Sequence, residues 1–321
     1  MDSPKLIKLL NSIWRFLLNL CFLLVLILLA VGGWWLYRLA SRPSRTNISE
    51  TLPCGAIYEK LFWKKPQLAL IHIVEIDLKK VDIQEILTNP PDSSKGLEHL
   101  AGFTTEFAME NEADLAINGS FYTPCHTHRI WDFYPQKGEP VDVFATAVYE
   151  GVQYSEPEEK SRKRFVLYWQ DKQFKLFKDG EMPEGVQYAI PGGDLLVWNG
   201  VAEKLPHRSK SSFQPRTAIG WNEAQSKIWI IVVDGRQPRY SEGVSLHQLA
   251  NLFVERGANQ ALNLDGGGSS TLVAKMEGQP KVLNAPIHRR TPMKERPVPN
   301  HLGFKLRRVV PHSDKLTMRK K

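Results

Sequence analysis

Cysteine is scarce: Cys21, Cys54 and Cys125 are the only three in 321 residues. No Cys-x-x-Cys pair, zinc-finger spacing or EF-hand loop occurs, which removes the usual structural zinc and calcium modules. There is no P-loop lysine and no dinucleotide fingerprint. The net charge of +8 comes without any aromatic–basic recognition module, so nucleic acid is not an expected partner. Low-complexity segments and long internal repeats are absent, and the apolar and charged fractions are those of a globular chain. Nothing in the pattern calls for a cofactor.

One absence is local. Between Arg15 and Arg38 there is no charged residue. Residues 16–37 are dominated by Leu, Val, Ile and Phe, with Trp34, Trp35 and Tyr37 at the far end, which suits a bilayer span with an interfacial aromatic belt. A cleaved signal peptide has a shorter apolar core and a small-residue cleavage site, and Gly32-Gly33-Trp34-Trp35 fits that poorly. Lys5, Lys8 and Arg15 flank one side and Arg38, Arg42 and Arg45 the other, so charge alone does not orient the span. A short N-terminal stub before a large C-terminal domain favours an extracytoplasmic domain. Cys54 and Cys125 are then the pair available to a disulfide, with two free thiols as the alternative.

The expected organisation is a stub (1–15), a span (16–37), a tether (38–51), one globular domain (52–310) and a basic tail (311–321). Positive charge is densest at residues 160–164, at His288 to Arg296, and from Arg307 onward. Strands are predicted at Leu68 to Leu78, Val81 to Leu87, Ala113 to Ile117, Phe165 to Trp169 and Leu195 to Trp198. His72, within the first of these, reads as a packed strand residue. Leu97 to Asn111 has helical spacing, with Leu97, Leu100, Phe103 and Phe107 on one stripe. A His-x-His pair, His126 and His128, can ligate a metal, but no third ligand stands at a telling distance, so no metal site is expected.

Ile228 to Val233 is a continuous β-branched run, as in a strand buried on both faces. It ends at Asp234-Gly235-Arg236. Ser245 and Gln248 then form a capping box, Leu246, Leu249, Leu252 and Phe253 make one helical stripe, and Gly257 suits the stop. Gln260 to Leu264 is again a strand, ending at Asp265-Gly266-Gly267-Gly268-Ser269-Ser270. Strand, helix and strand at this spacing make a βαβ unit, and the fold class is α/β (α+β), with a mixed β-sheet in a single domain. Both aspartates then sit on one sheet edge, about 10 Å apart if one strand intervenes. Two carboxylates at such an edge can divide acid and nucleophile or base roles. Each can also merely satisfy a turn. Arg216, at another strand start, and Arg236 add guanidinium groups suited to an anionic substrate.

Five blocks together carry a resemblance. Asn118-Gly119-Ser120-Phe121-Tyr122, Pro215-Arg216-Thr217-Ala218, Asp234-Gly235-Arg236 with Ser241-Glu242-Gly243-Val244-Ser245, Ala261 to Val273, and Arg296-Pro297-Val298-Pro299-Asn300 resemble the signature segments of the phosphodiester glycosidases. Ser120 and Tyr122 stand where that family usually has Gly and Phe. The resemblance implies cleavage of the bond between sugar C1 and a phosphodiester oxygen. It implies Asp265 and Asp234 at the sugar, and Arg216 and Arg236 on the phosphodiester. Asn118, Glu242, Ser269, Ser270 and the amides of Gly266, Gly267 and Gly268 would position hydroxyls or phosphate, with Arg296 and Asn300 as further candidates. The implied partners are a sugar-phosphodiester or envelope glycan, as in exopolysaccharide-related members, and the membrane itself. Competing readings are a non-catalytic glycan-binding or polysaccharide-assembly protein of the same fold, and a metal-dependent hydrolase using His126 and His128.

Overall fold

The structure is a computed structural model and describes residues 3–129, 132–157, 164–171, 173–205 and 212–309. The basic tail, residues 160–163 of the charged loop and residues 209–211 fall outside them. The chain divides into two compact units, one ending at Arg42 and one starting at Pro43. The first is a single helix, α1 (Ser3–Ala40), whose stretch Leu10–Ala40 is long and apolar enough to cross a bilayer. A signal sequence meets the same description.

The second unit is built on an eight-stranded sheet. Its strands in chain order are β1 (Ile48–Thr51), β2 (Ile57–Trp63), β3 (Ala69–Asp77), and then, after a second-sheet strand β4 (Val81–Leu87), the pair β6 (Leu195–Trp198) and β7 (Val201–Ala202). β8 (Arg216–Trp221), β9 (Lys227–Val233) and β10 (Gln260–Asn263) complete it, in the spatial order β1-β2-β3-β9-β8-β10-β6-β7. The stretch expected as a tether thus contains β1, which pairs with β2. A second sheet joins β4 to β5 (Leu115–Asn118), β11 (Leu272–Met276), β12 (Gln279–Val282) and β13 (His301–Arg308), in the order β12-β11-β5-β13-β4.

Alternation explains how these sheets stack. Ile228, Ile230 and Val232 of β9 face a core shared with Leu115 and Ile117 of β5, Leu272 of β11 and Phe304 of β13. Trp229, Ile231 and Val233, one residue out of phase, face α3 (Leu246–Glu255) through Leu249 and Phe253. Both faces of β9 are buried, and that is why its sequence is a solid apolar run. On the far side of the second sheet, Phe107 and Ala108 of α2 (Thr104–Glu110) cover Leu87, Ala116 and Val273. The layers are helix, sheet, sheet, helix. A third, five-stranded sheet formed from residues 147–191 extends the central core through Leu167, Phe174 and Ile190.

The crossover β9–α3–β10 is present, with Ser245 accepting from the Gln248 amide at its N-cap. β9 and β10 run in the same direction because β8 lies antiparallel between them. Among the described residues, every hydrogen-bonded neighbour in this sheet is antiparallel. The helix expected from Leu97 is shorter than its stripe. Gly102 exchanges backbone hydrogen bonds with Val298 at 2.9 and 2.8 Å, which holds the segment extended until Phe103.

Candidate active site

The strand register brings the ends of β9 and β10 and the start of β8 to one edge: Val233 pairs with Arg216, and Ala218 with Asn263. The loop after β10 is pinned along its length. The Leu264 amide donates to Thr217 at 2.8 Å, Asp265 to Gly119 at 3.0 Å, Gly267 to Pro215 at 2.9 Å and Ser269 to Gly266 at 3.1 Å. Four amides of the stretch from Leu264 to Ser269 are therefore committed to the protein itself, and the loop is not an open amide nest. Its glycines make room for neighbours. Gly267 has φ +61°, and a Cβ there would meet the Arg236 guanidinium at 2.9 Å. A Cβ on Gly268 would collide with the guanidinium of Arg296.

Asp265 lies between those two cations. Burial pushes its carboxyl up to about 6, and the Ser269 hydroxyl, Arg296, the Gly266 amide and Arg236 pull it back. Arg236 donates through Nε to Gln214 Oε1 at 2.6 Å. Arg296 lies over the Phe133 ring, 5.3 Å from its centroid, and directs Nε at His288 Nδ1, 3.4 Å away. His288 is buried edge-on against Phe133, and burial followed by the repulsion of Arg296 brings it down to about 3, so it stays neutral. A neutral imidazole accepts from the guanidinium without competing with Asp265 for it. Arg216 is held by the carbonyls of Val244 (3.2 Å) and Ser212 (3.0 Å). Burial lowers it to about 10, and Asp194 opposes that shift.

Asp234 is placed differently. Its side chain is sealed from solvent. Oδ1 accepts from the Ala285 amide at 2.7 Å and from Asn284 Nδ2 at 3.1 Å, and Oδ2 lies 3.1 Å from His72 Nε2. His72 Nδ1 is in turn 2.7 Å from the Tyr58 hydroxyl. Asn284 also donates to the Ser270 carbonyl at 3.0 Å and accepts from the Leu272 amide at 2.8 Å. Asp234 therefore braces the far end of the glycine loop from behind.

Asn118 and Asn300 are also inside. Asn118 donates to the Asp265 carbonyl at 2.6 Å and accepts from Thr217 Oγ1 at 2.8 Å and the Thr271 amide at 3.2 Å. Asn300 accepts from the Ser120 amide at 2.8 Å. Ser269 and Ser270 both carry buried hydroxyls with no partner at hydrogen-bonding distance, and the Ser269 hydroxyl is the one that acts on Asp265. Glu242 is exposed in a cleft that it lines with Arg236 and Gln214.

The disulfide expectation is corrected: Cys54 and Cys125 are both free. Cys54 lies near Asp114, which immediately precedes β5, whereas Cys125 lies near Arg236, beyond the other end of β5. The four residues of β5 alone span about 13 Å, more than a disulfide bridges. Cys125 instead sits beside the Tyr122 hydroxyl at the rim of the site. His126 stacks on Tyr134, and no group of three metal-ligating side chains occurs among the described residues. Phe133, His288, Tyr122 and Asp194 carried no motif of their own. Only the position of Tyr122 inside a signature block pointed toward the site.

The α+β sandwich thus holds a half-buried carboxylate between guanidinium groups on strand-end loops, an arrangement with groups suited to an anion. The chain belongs to the phosphodiester glycosidase family, whose sequence model matches residues 111–305. Among solved structures, the zebrafish N-acetylglucosamine-1-phosphodiester alpha-N-acetylglucosaminidase catalytic domain, auto-inhibited by its pro-peptide, is 19% identical with a TM-score of 0.52. The match covers 84% of this chain and 92% of that one. A hypothetical protein from Synechocystis is 15% identical with a TM-score of 0.53, covering 83% of this chain and 64% of that one. At these identities the likeness is one of fold. No curated protein matches the chain.

Proposed function

We propose that the protein is a membrane-anchored phosphodiester glycosidase with Asp265 as its reacting carboxylate. The observation that carries this reading is Asp265 itself: a carboxylate flanked by Arg236 and Arg296, at the end of a strand, in the family's matched region. In the reaction the bond between sugar C1 and the phosphodiester oxygen breaks. Water supplies the hydroxyl left on C1, its other proton is released or taken up by the phosphate, and a phosphate monoester departs. Positive charge develops at C1, and a carboxylate there stabilises it. A phosphate is a good leaving group, so anchoring it matters more than protonating it. Arg236 and Arg296 are the anchors, with Arg216 behind them. Asp265 works as the carboxylate, as nucleophile or base.

Asp234 takes a positioning role in this scheme. It holds Asn284, and through it the backbone of Ser270 and Leu272. Asn118 and Asn300 act in the same way on the loops that meet Asp265. Glu242 is a rim group.

The test is direct. The full chain in detergent is given UDP-N-acetylglucosamine, the sugar being that of the zebrafish relative's name, and then other nucleotide sugars. Free sugar and a nucleoside diphosphate are the expected products. Binding without release of sugar would support a glycan-binding protein instead.

A further inference from the structure

The chain enters its folded unit on the sheet edge that carries the site. β1 begins at Ile48 opposite Lys60, close to the end of β2. β2 ends at Trp63 opposite Ala69, Ile71 lies opposite Val233, and Val233 opposite Arg216. The segment Pro43 to Asn47 therefore lies along the edge from which Arg236 and Asp265 project. It is bonded there. The Tyr240 hydroxyl donates to the Pro43 carbonyl at 2.8 Å, and Arg45 Nη1 to the Arg239 carbonyl at 2.8 Å. Asn47 Oδ1 accepts from the Phe62 amide at 2.8 Å, and Arg45 lies over the Phe62 ring. Phe62 and Tyr240 share an apolar cluster with Leu70, Ala285 and Met293. The entry segment is thus fastened to the loop that bears Arg236.

Only Ser41 and Arg42 separate Ala40, the last residue of α1, from Pro43. Covalent geometry keeps Pro43 within about 11 Å of Ala40 whatever angle the helix takes. The loops 43–47, 64–68 and 235–243 expose Arg45, Lys64, Lys65, Arg236 and Arg239 against the single carboxylate of Glu242. Clustered cations next to a span are what an anionic lipid surface attracts. A water-soluble substrate reaches such an edge wherever it lies. A substrate whose aglycone is embedded in the bilayer needs the edge close to the chain's attachment to the span, because its sugar and phosphate are presented only at the surface.

We infer, on the glycosidase reading and with α1 as an anchor, that the substrate is a lipid-linked sugar-1-phosphodiester presented by the membrane that holds α1. The C1–O bond breaks at the surface, water supplies the hydroxyl on C1, and the phosphate stays on the lipid as a monoester.

The full chain is reconstituted in phosphatidylglycerol-containing vesicles with two substrates of the same sugar, a prenyl glycosyl phosphodiester in the vesicle and a nucleotide sugar in solution. The lipid-linked substrate is turned over with a kcat/KM at least about tenfold higher. A rigid twenty-residue helical spacer between Arg42 and Pro43 lifts the domain by about 30 Å. It lowers lipid-linked turnover about tenfold or more and leaves nucleotide-sugar turnover within about twofold. A Lys64→Glu, Lys65→Glu variant loses several-fold on the lipid-linked substrate alone. Equal or better use of the nucleotide sugar by the parent overturns the inference. So does lipid-linked turnover that neither the spacer nor the charge variant changes. If the parent turns over neither substrate, the glycosidase reading itself falls.

Discussion

Asp234 and Asp265 end the two parallel strands of one crossover unit, each followed by glycine, and their surroundings differ. Asp234 is closed off by Ala285, Asn284 and His72, which occupy both carboxylate oxygens. Asp265 is bordered by Arg236, Arg296 and Ser269, and burial raises its affinity for a proton. One carboxylate has its hydrogen-bonding capacity filled by the fold, and the other has cations placed beside it where a substrate anion would also go. A strand-end aspartate is thus sealed into the fold or left beside cations according to which later segment packs over it. For Asp234 that segment is the turn at Asn284-Ala285.

Asp265→Asn tests the comparison at its strongest point. Turnover of a sugar-1-phosphodiester falls by roughly a thousandfold or more, read as sugar release under single-turnover conditions, while the fold is kept. Stability moves the other way. The folded pKa of about 6 lies above the ordinary 3.8, so the folded state binds this proton more tightly than the unfolded chain. The resulting stabilisation is present below the ordinary value and is lost as pH rises through about 6. The parent therefore loses melting temperature across that window relative to Asp265→Asn. Turnover follows the carboxylate and rises with pH to a plateau above about 6. A rate that instead falls above that pH makes Asp265 an acid.

Asp234→Ala reverses the pattern. It leaves a buried amide, Asn284 and His72 without their acceptor and costs about 3 kcal/mol or more of stability, read by denaturant titration. Asp234→Asn keeps one acceptor and costs less. Its kcat at a temperature where it is folded stays within about tenfold of the parent. A folded Asp234→Asn protein that loses turnover as completely as Asp265→Asn would erase the distinction between the two strand ends.

Much of the scaffold was legible because it is local. The run Ile228 to Val233 is apolar throughout since one face meets the second sheet and the other α3, and Ser245 with Gln248 marks the helix start. The stripe from Leu97 misled because Gly102 is claimed by Val298, a partner far along the chain. The same limit applies to the site. The acidic strand ends were visible, but the seal over Asp234 comes from His72 and Asn284, 162 and 50 residues away. The resemblance assigns the glycine triplet to the substrate through its amides, and the structure uses the missing side chains of Gly267 and Gly268 to admit Arg236 and Arg296. The pairing of Phe133 and His288 with Arg296 joins segments that no spacing rule connects.

Arg296→Gln sharpens the contrast by removing a cation from one side only. If Arg296 holds the phosphodiester, losing its charge-assisted hydrogen bond of about 1.5–3 kcal/mol raises KM roughly 10- to 100-fold. Loss of a neighbouring positive charge also raises the Asp265 pKa further, so the midpoint of the pH–rate curve moves up. The equivalent change behind Asp234, His72→Gln, lowers the melting temperature and leaves that midpoint where it was. A shifted midpoint in His72→Gln would mean that the two regions are electrostatically one.

The smallest effect locates the border between them. Ser269 and Ser270 are adjacent and both buried. The Ser269 hydroxyl faces Asp265 and helps hold its pKa down, whereas Ser270 offers its carbonyl to Asn284 in the Asp234 network. Ser269→Ala removes the hydroxyl dipole that favours the charged form of Asp265, so the pH–rate midpoint rises by a fraction of a unit. Ser270→Ala deletes a buried hydroxyl that has no partner while keeping the carbonyl that Asn284 uses. Stability then changes by less than about 1 kcal/mol, and the midpoint stays put. Paired pH–rate profiles of the two variants read the boundary directly: movement in Ser269→Ala alone places it between these two residues, and movement in both places Ser270 on the chemical side.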